Sequence, residues 1–271
     1  GQQIMATVKT TLNVVEENTN RLAVLIDDDN VAAKDIKAIL EEVTKYGEAT
    51  VKRIYGNFVS KNGQWKETIN AHAIKPMQQF AFTTGKNATD GFMIIDAMDL
   101  LYTGRFDGFC LVSSDSDFTA LAIRLKEQGA IVYGFGKMQT PEAFRNACTR
   151  FIYIENLQSL ERQEPSIKAE QSTKPNEKTL PATEQAAPTL DIQLPKDTIK
   201  KIFEDSESEW ISAGLLGQKW RLLQTDFDPR TYGCKKLTDL VKKYTDLFKF
   251  EMRENPETGH SNMYVKLKNS K

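Results

Sequence analysis

Two short apolar runs, each stopped by acids, constrain this chain more than anything else in its sequence. Leu22-Ala23-Val24-Leu25-Ile26 ends in Asp27-Asp28-Asp29-Asn30, and Phe109-Cys110-Leu111-Val112 ends in Ser113-Ser114-Asp115-Ser116-Asp117. A continuous apolar run of this length reads as a strand buried on both faces, and such a strand needs helices packed above and below it. In an open α/β sheet the ligand crevice lies outside the carboxyl ends of the strands, so acids at those ends stand where chemistry can be done. Capping is the plainer use for Ser and Asp just before a helix that begins near Phe118. One cap needs one acid, and this chain supplies several.

The pattern between and beyond those runs is an alternation. Residues 31–46 carry Ile36, Ile39, Leu40 and Val43 at helical spacing, with Gly47 as the stop. Strands are expected at 49–55, 77–82, 130–135 and 151–154, and helices at 65–74, at 91–102 and after Phe118. A further helix starts at Thr140-Pro141, with Thr as cap and Pro at the first helical position. Strands alternating with helices predict an α/β fold, a parallel doubly wound sheet over residues 21–158. Residues 1–20 lack periodicity and read as a flexible arm. Residues 159–190 are rich in Gln, Glu, Lys, Pro and Thr, with too little apolar surface to offset the entropy of ordering, and read as a flexible linker. Over 191–271, three helical patterns precede two strand patterns around Asn255-Pro256-Glu257-Thr258-Gly259, which predicts a smaller winged helix-turn-helix domain.

Composition narrows the chemistry. With 2 histidines, His-pair catalysis, triads and His-rich metal sites have almost nothing to use. His72 lies in an amphipathic helical pattern and reads as a surface or packing residue. The 3 cysteines are widely spaced in apolar surroundings, which fits burial rather than a zinc site or a disulfide framework. A net charge of -1 excludes a globally basic nucleic-acid binder but leaves room for a local basic face. No apolar run approaches the roughly 20 residues that span a bilayer, and no signal-peptide pattern opens the chain. A cytoplasmic protein with no membrane association is expected.

Any catalysis therefore runs on carboxylates. If the strand order reverses between the two acid-ended strands, Asp27, Asp115 and Asp117 meet at the switch point. Asp90, in the first turn of the helix leading to the second of those strands, could close the same pocket. Such acids repel one another unless a cation sits among them, and an all-oxygen ligand set suits Mg²⁺ or Mn²⁺. Ions of this kind act on phosphates, activating water and stabilising phosphoryl charge.

Two families share parts of this pattern. Leu25-Ile26-Asp27-Asp28-Asp29-Asn30-Val31 resembles the opening motif of haloacid-dehalogenase (HAD) phosphatases, which would make Asp27 a nucleophile. That family follows its motif with a helical turn and a hairpin, and it wants Gly before its last acidic pair, where this chain has Ser113-Ser114. The NYN domain, a PIN-like nuclease branch, is the fuller match over residues 21–158. Ile26 to Asn30 is similar to its strand-end IDxxN, Lys86 to Asp90 to its helix entry, and Ser113 to Phe118 to its SxDSDF signature. Asp99-Leu100-Leu101-Tyr102 and Thr140-Pro141-Glu142-Ala143-Phe144 resemble the LabA-like subgroup. The resemblance implies a metal-dependent ribonuclease with Asp27, Asp90, Asp115 and Asp117 as metal-site and catalytic acids and Asn30 as polar companion. Ser113 and Asp96 are secondary candidates, although Asp96 falls on a different helix face from Asp90. Lys86 is a candidate phosphate contact.

The C-terminal stretch resembles the OST-HTH or LOTUS domain through Trp210, Gly214, Asp226-Phe227-Asp228-Pro229, Tyr232-Gly233, Lys236-Leu237 and Tyr264-Val265-Lys266-Leu267. Trp210, Phe227 and Leu237 are expected in its core. Arg230, Lys235, Lys236, Lys242 and Lys243 are its candidate RNA contacts, and a homodimer or protein partner is the other use of such a domain. The expectation is a metal-dependent endoribonuclease, leaving 5′-phosphate and 3′-hydroxyl ends, with a tethered RNA-binding module. A HAD-type phosphatase and a non-catalytic RNA-binding scaffold are the alternatives.

Overall fold

A computed structural model describes residues 19–58, 63–79, 88–161 and 192–268. The expected arm over 1–20 falls almost wholly outside them, as do most of the expected linker and the candidate Lys86.

The first domain runs β1 (Arg21–Asp27), α1 (Ile36–Val43), β2 (Glu48–Gly56), α2 (Lys66–Ala71), β3 (Lys75–Gln78), α3 (Ala88–Tyr102), β4 (Gly108–Val112), α4 (Thr119–Glu127), β5 (Ile131–Gly136), α5 (Glu142–Ala147), β6 (Arg150–Tyr153) and α6 (Ile154–Glu161). All six strands pair in parallel in the order β3-β2-β1-β4-β5-β6. Each strand's alternate side chains feed one of two cores. Ala23, Leu25, Phe109 and Leu111 pack with Met93 and Ala97 of α3, Leu121 and Leu125 of α4 and Phe144 of α5. Leu22, Val24, Ile26 and Val112 pack on the other face with Ile36, Ile39 and Val43 of α1, Trp65 and Leu157. Full burial of each such side chain contributes about 1.5–3 kcal/mol, which is why the buried stretches Leu22–Ile26 of β1 and Phe109–Val112 of β4 are apolar throughout.

Three local expectations change. The first helix starts later than residue 31, because Asn30 N–H bonds to the Asp27 carbonyl and the chain turns before a short 3₁₀ segment at Ala33–Asp35. The strand expected at 77–82 begins earlier, at Lys75, and holds Pro76 inside it, while residues 80–82 lie outside the described residues; β3 is an edge strand, where a missing N–H is tolerated. Thr140 does not cap α5. Its hydroxyl donates back to the Lys137 carbonyl at 2.6 Å and packs on Gly136, where a Cβ would lie 2.8 Å from the Thr140 oxygen.

The second domain holds α7 (Lys196–Glu204), β7 (Ile211–Ser212), α8 (Ala213–Leu223), α9 (Leu237–Lys243), β8 (Phe248–Glu254) and β9 (Ser261–Leu267), with an antiparallel sheet ordered β7-β9-β8. Its core centres on Trp220, stacked on Phe227 with ring centroids 3.9 Å apart. Trp210, expected in that core, is only half-buried and lies under the Arg253 guanidinium at the wing. Trp220 takes the central place because it projects inward from α8, whereas Trp210 precedes the short β7.

The domains are docked. The Phe151 N–H of β6 donates to the Thr225 carbonyl at 2.9 Å, and the Thr225 hydroxyl to the Arg145 carbonyl at 2.7 Å. Asp226 accepts from Arg145 at 2.7 Å and from the Tyr153 hydroxyl, and Asn156 donates to Thr231 at 2.9 Å. The outer edge of β6, which would otherwise offer unpaired backbone groups, is thus partly covered by the second domain.

Candidate metal centre

The sheet order reverses between β1 and β4, where Ile26 pairs with Val112. The next residues along, Asp27 and Ser113, therefore emerge side by side, and the Ser113 hydroxyl donates to Asp27 Oδ2 at 2.8 Å. Asn30 donates its side-chain amide to the same oxygen at 2.6 Å, and Asp29 N–H reaches Oδ1 at 3.2 Å. The Asp27 side chain is fully buried, and burial pushes its carboxyl above the ordinary value against those three hydrogen bonds. Ser113 also accepts the Asp115 N–H at 3.1 Å, coupling the ends of the two strands.

Beyond that inner pair, Asp90, Asp115 and Asp117 each offer a carboxylate oxygen within 4.8 Å of the others. Asp90 is buried at the start of α3, Asp115 is half-buried and Asp117 is exposed. Asp115 also caps the 3₁₀ turn Ser116–Phe118 through Asp117 N–H at 2.9 Å, so the plainer role of that acid is realised together with the clustering. Burial, then the charges of Asp27, Asp115 and Asp117, push the Asp90 carboxyl up to about 7. A cluster that resists its own ionisation, with only hard oxygen donors, fits a divalent cation. Asp27, Asp28 and Asp29 form a second close acidic group at the end of β1. Asp28 packs over Gly56, where a Cβ would fall 2.1–2.2 Å from its carboxylate.

A model of the NYN domain matches residues 21–155, and one of the OST-HTH/LOTUS domain matches residues 191–260. The chain joins an NYN domain to an OST-HTH/LOTUS domain. It is also similar to an uncharacterized protein of Methanocaldococcus jannaschii, 27% identical over 121 residues, or 43% of this chain and 48% of that protein. The match thus spans about half the length of that relative. A crystal structure of a protein of unknown function from Vibrio parahaemolyticus aligns with 17% identity and a TM-score of 0.43, over 51% of this chain and 94% of that one. A solution structure of an uncharacterized Nitrosomonas europaea protein aligns with 33% identity and a TM-score of 0.26, over 39% and 95%. The NYN domain has the PIN-like nuclease fold; its family is generally one of ribonucleases, PIN-like nucleases use divalent metals, and OST-HTH/LOTUS domains bind RNA.

Several candidates stand elsewhere. Asp96, on α3 of the NYN domain, is taken up by Arg53, which reaches both its oxygens at 2.8 Å, and by the Tyr55 hydroxyl. Its place about one and two-thirds turns beyond Asp90 aims it at β2 instead of the acidic cluster. Arg230 of the LOTUS domain is not a free phosphate contact. Its guanidinium is shared between Asp228 and Glu42, both at 2.8 Å, and the Glu42 carboxylate is buried. Lys235, Lys236, Lys242 and Lys243 are exposed, with Lys243 Nζ donating to the Tyr232 carbonyl at 2.6 Å. The homodimer or protein partner expected of this domain gains no support from the comparisons. Cys110, Cys148 and Cys234 are free and buried, as their apolar surroundings suggested. No described helix is long and apolar enough to cross a membrane.

Sequence reasoning missed Ser114, whose hydroxyl accepts the Lys137 N–H at 2.9 Å and ties the Asp115 loop to the segment after β5. It also missed the fit of Asp28 over Gly56. The only signal for the latter was a glycine closing a strand pattern.

Proposed function

We propose that the protein is a divalent-metal-dependent endoribonuclease in which Asp90, Asp115 and Asp117 hold the ion. The observation that carries this is their convergence within 4.8 Å at the switch point, with Asp90 pushed up to about 7. A divalent ion supplies charge stabilisation for phosphoryl oxygens and acidifies water when bound. The chain's own residues do the rest. Asn30 and Ser113 fix Asp27 in one orientation, so its charge lies under the cluster without rearrangement. Ser114 and the Asp115 cap hold the loop that carries the two outer acids.

The HAD-type reading asks Asp27 to act as a nucleophile. A fully buried carboxylate with both oxygens accepting hydrogen bonds is poorly placed for that attack. The LOTUS domain supplies RNA contacts in this reading, with Lys235, Lys236, Lys242 and Lys243 among its exposed cations.

Single-stranded and structured RNA, incubated with Mn²⁺, with Mg²⁺ or with EDTA, tests the proposal against the Asp115→Asn variant. Expected is internal cleavage that needs the metal and leaves 5′-phosphate ends, with loss of at least about 100-fold in rate in the variant, as for removal of an electrostatic catalytic group. Cleavage that survives EDTA or the substitution would sink it.

A further inference from the structure

A cavity of about 550 Å³ opens where the two domains meet. Tyr46 beyond α1, Arg150 at the start of β6, Arg221 on α8 and two short stretches, Asp228–Arg230 and Lys235–Leu237, line it. It is not the carboxylate site. Arg150 pairs with Tyr133, Tyr133 with Cys110 and Cys110 with Val24, three residues before Asp27. At about 3.3 Å per residue and about 4.8 Å between strands, the two sites are roughly 10 Å apart along the strands and roughly 14 Å across the sheet.

The charges in this cavity do not balance. Its two acids, Glu42 and Asp228, are taken by Arg230 and, for Glu42, by Lys45 at 2.7 Å. Arg150, Arg221, Lys235 and Lys236 have no carboxylate within ion-pair distance among the described residues. Arg150 is nonetheless held in place. Its guanidinium lies over the Tyr46 ring, 5.3 Å from the centroid, and Tyr46 stacks on Tyr133 at 4.5 Å. Partial enclosure, then the Arg150 charge, pull the Arg221 guanidinium below its ordinary value. Two guanidiniums brought together from different domains, with two lysines beside them, make an arrangement that an anion stabilises. Planar guanidinium forks match phosphate oxygens two at a time. The volume exceeds that of a bare anion and falls in the range of pockets that enclose a nucleotide-sized group.

We propose that this junction is a binding site for a phosphate group of an RNA strand, gripped by Arg150 from the NYN domain and Arg221 from the LOTUS domain. A ligand held by both domains also stabilises their docking, since it binds only the docked form. A free nucleotide presents the same phosphate chemistry, so the test separates the two.

The full chain is titrated in EDTA with a short labelled single-stranded RNA over a range of salt, read by fluorescence anisotropy, with no cleavage required. Arg221→Gln is compared with Lys200→Gln, an exposed cation outside the cavity, and both variants are checked by thermal melting. Expected for Arg221→Gln is an affinity loss of roughly 10-fold, as for one charged hydrogen-bonding contact, and a salt slope shallower by about 0.7, as for one lost phosphate contact on a single strand. Lys200→Gln is expected to leave the affinity within about twofold, as fits a substitution away from the contacts. Folded Arg221→Gln protein that binds RNA like the wild type overturns the proposal. An adenosine monophosphate titration is the second arm. Nucleotide binding that Arg221→Gln abolishes while RNA binding stays intact assigns the cavity to free nucleotides and overturns RNA as its occupant.

Discussion

Replacing Asp90 by Asn should make the metal-free protein more stable and the metal-bound protein less so. The carboxyl at this position stands at about 7 against an ordinary value of 3.8, pushed by burial and by the charges of Asp27, Asp115 and Asp117. Three units correspond to about 4 kcal/mol at about 1.4 kcal/mol each. Burial accounts for part of this, and solvent around the exposed Asp117 screens part of the rest, so a gain of about 2 kcal/mol is expected for Asp90→Asn in EDTA at pH 8. That corresponds to a Tm rise of about 4–8 °C for a domain of this size. The pH dependence has a definite sign. Between about pH 4 and 7 the unfolded chain has already released the Asp90 proton while the folded chain keeps it, so wild-type stability falls as pH rises and levels off above about 7. The variant should lack that component. With millimolar Mn²⁺ the order inverts, because the wild type gains binding energy that an amide cannot supply. Melting curves in EDTA and in Mn²⁺ at several pH values measure all of this. An Asp90→Asn protein that melts below the wild type in EDTA at pH 8 would refute the reasoning, since Asp90 would then be a stabilising residue instead of a strained one.

Three other substitutions have definite outcomes. Arg230→Met leaves Glu42 and Asp228 buried, the former with only Lys45 to balance it, and should cost about 3 kcal/mol in urea unfolding; a loss below about 1 kcal/mol would mean that the pair is not desolvated. Asp96→Asn weakens the ion pair with Arg53 and should lower stability by about 1–3 kcal/mol while leaving the Mn²⁺-induced Tm gain unchanged; a lost Mn²⁺ response would return Asp96 to the metal site. Gly56→Ala drives a methyl into the Asp28 carboxylate and should cost about 1–3 kcal/mol by calorimetry; an unchanged melting temperature would show that Asp28 swings aside freely.

Features set by apolar patterning were legible in the sequence, and those set by particular hydrogen bonds and packing contacts were not. Strands β1 and β4 were legible because apolar runs capped by acids have few other uses. The helix after β1 was misjudged at its start because the turn there is set by hydrogen bonds to Asp27, which periodicity does not record. Trp210 and Trp220 could not be told apart, since both are aromatic and only packing decides which is central.

What the sequence by itself determined is the set of parts: an α/β domain with acids at strand ends, a second small helical and β domain, and too few histidines or cysteines for other chemistry. Only the tertiary structure decided which parts meet. It sorted four candidate acids into an inner Asp27 held by Asn30 and Ser113 and an outer trio of Asp90, Asp115 and Asp117, and it gave Asp96 to Arg53. It turned Arg230 from a surface cation into a domain fastener and set Arg150 and Arg221 across one cavity. The physical reason is that strand-end chemistry is local in sequence, whereas charge pairing and repulsion depend on distances that only strand order and domain docking fix.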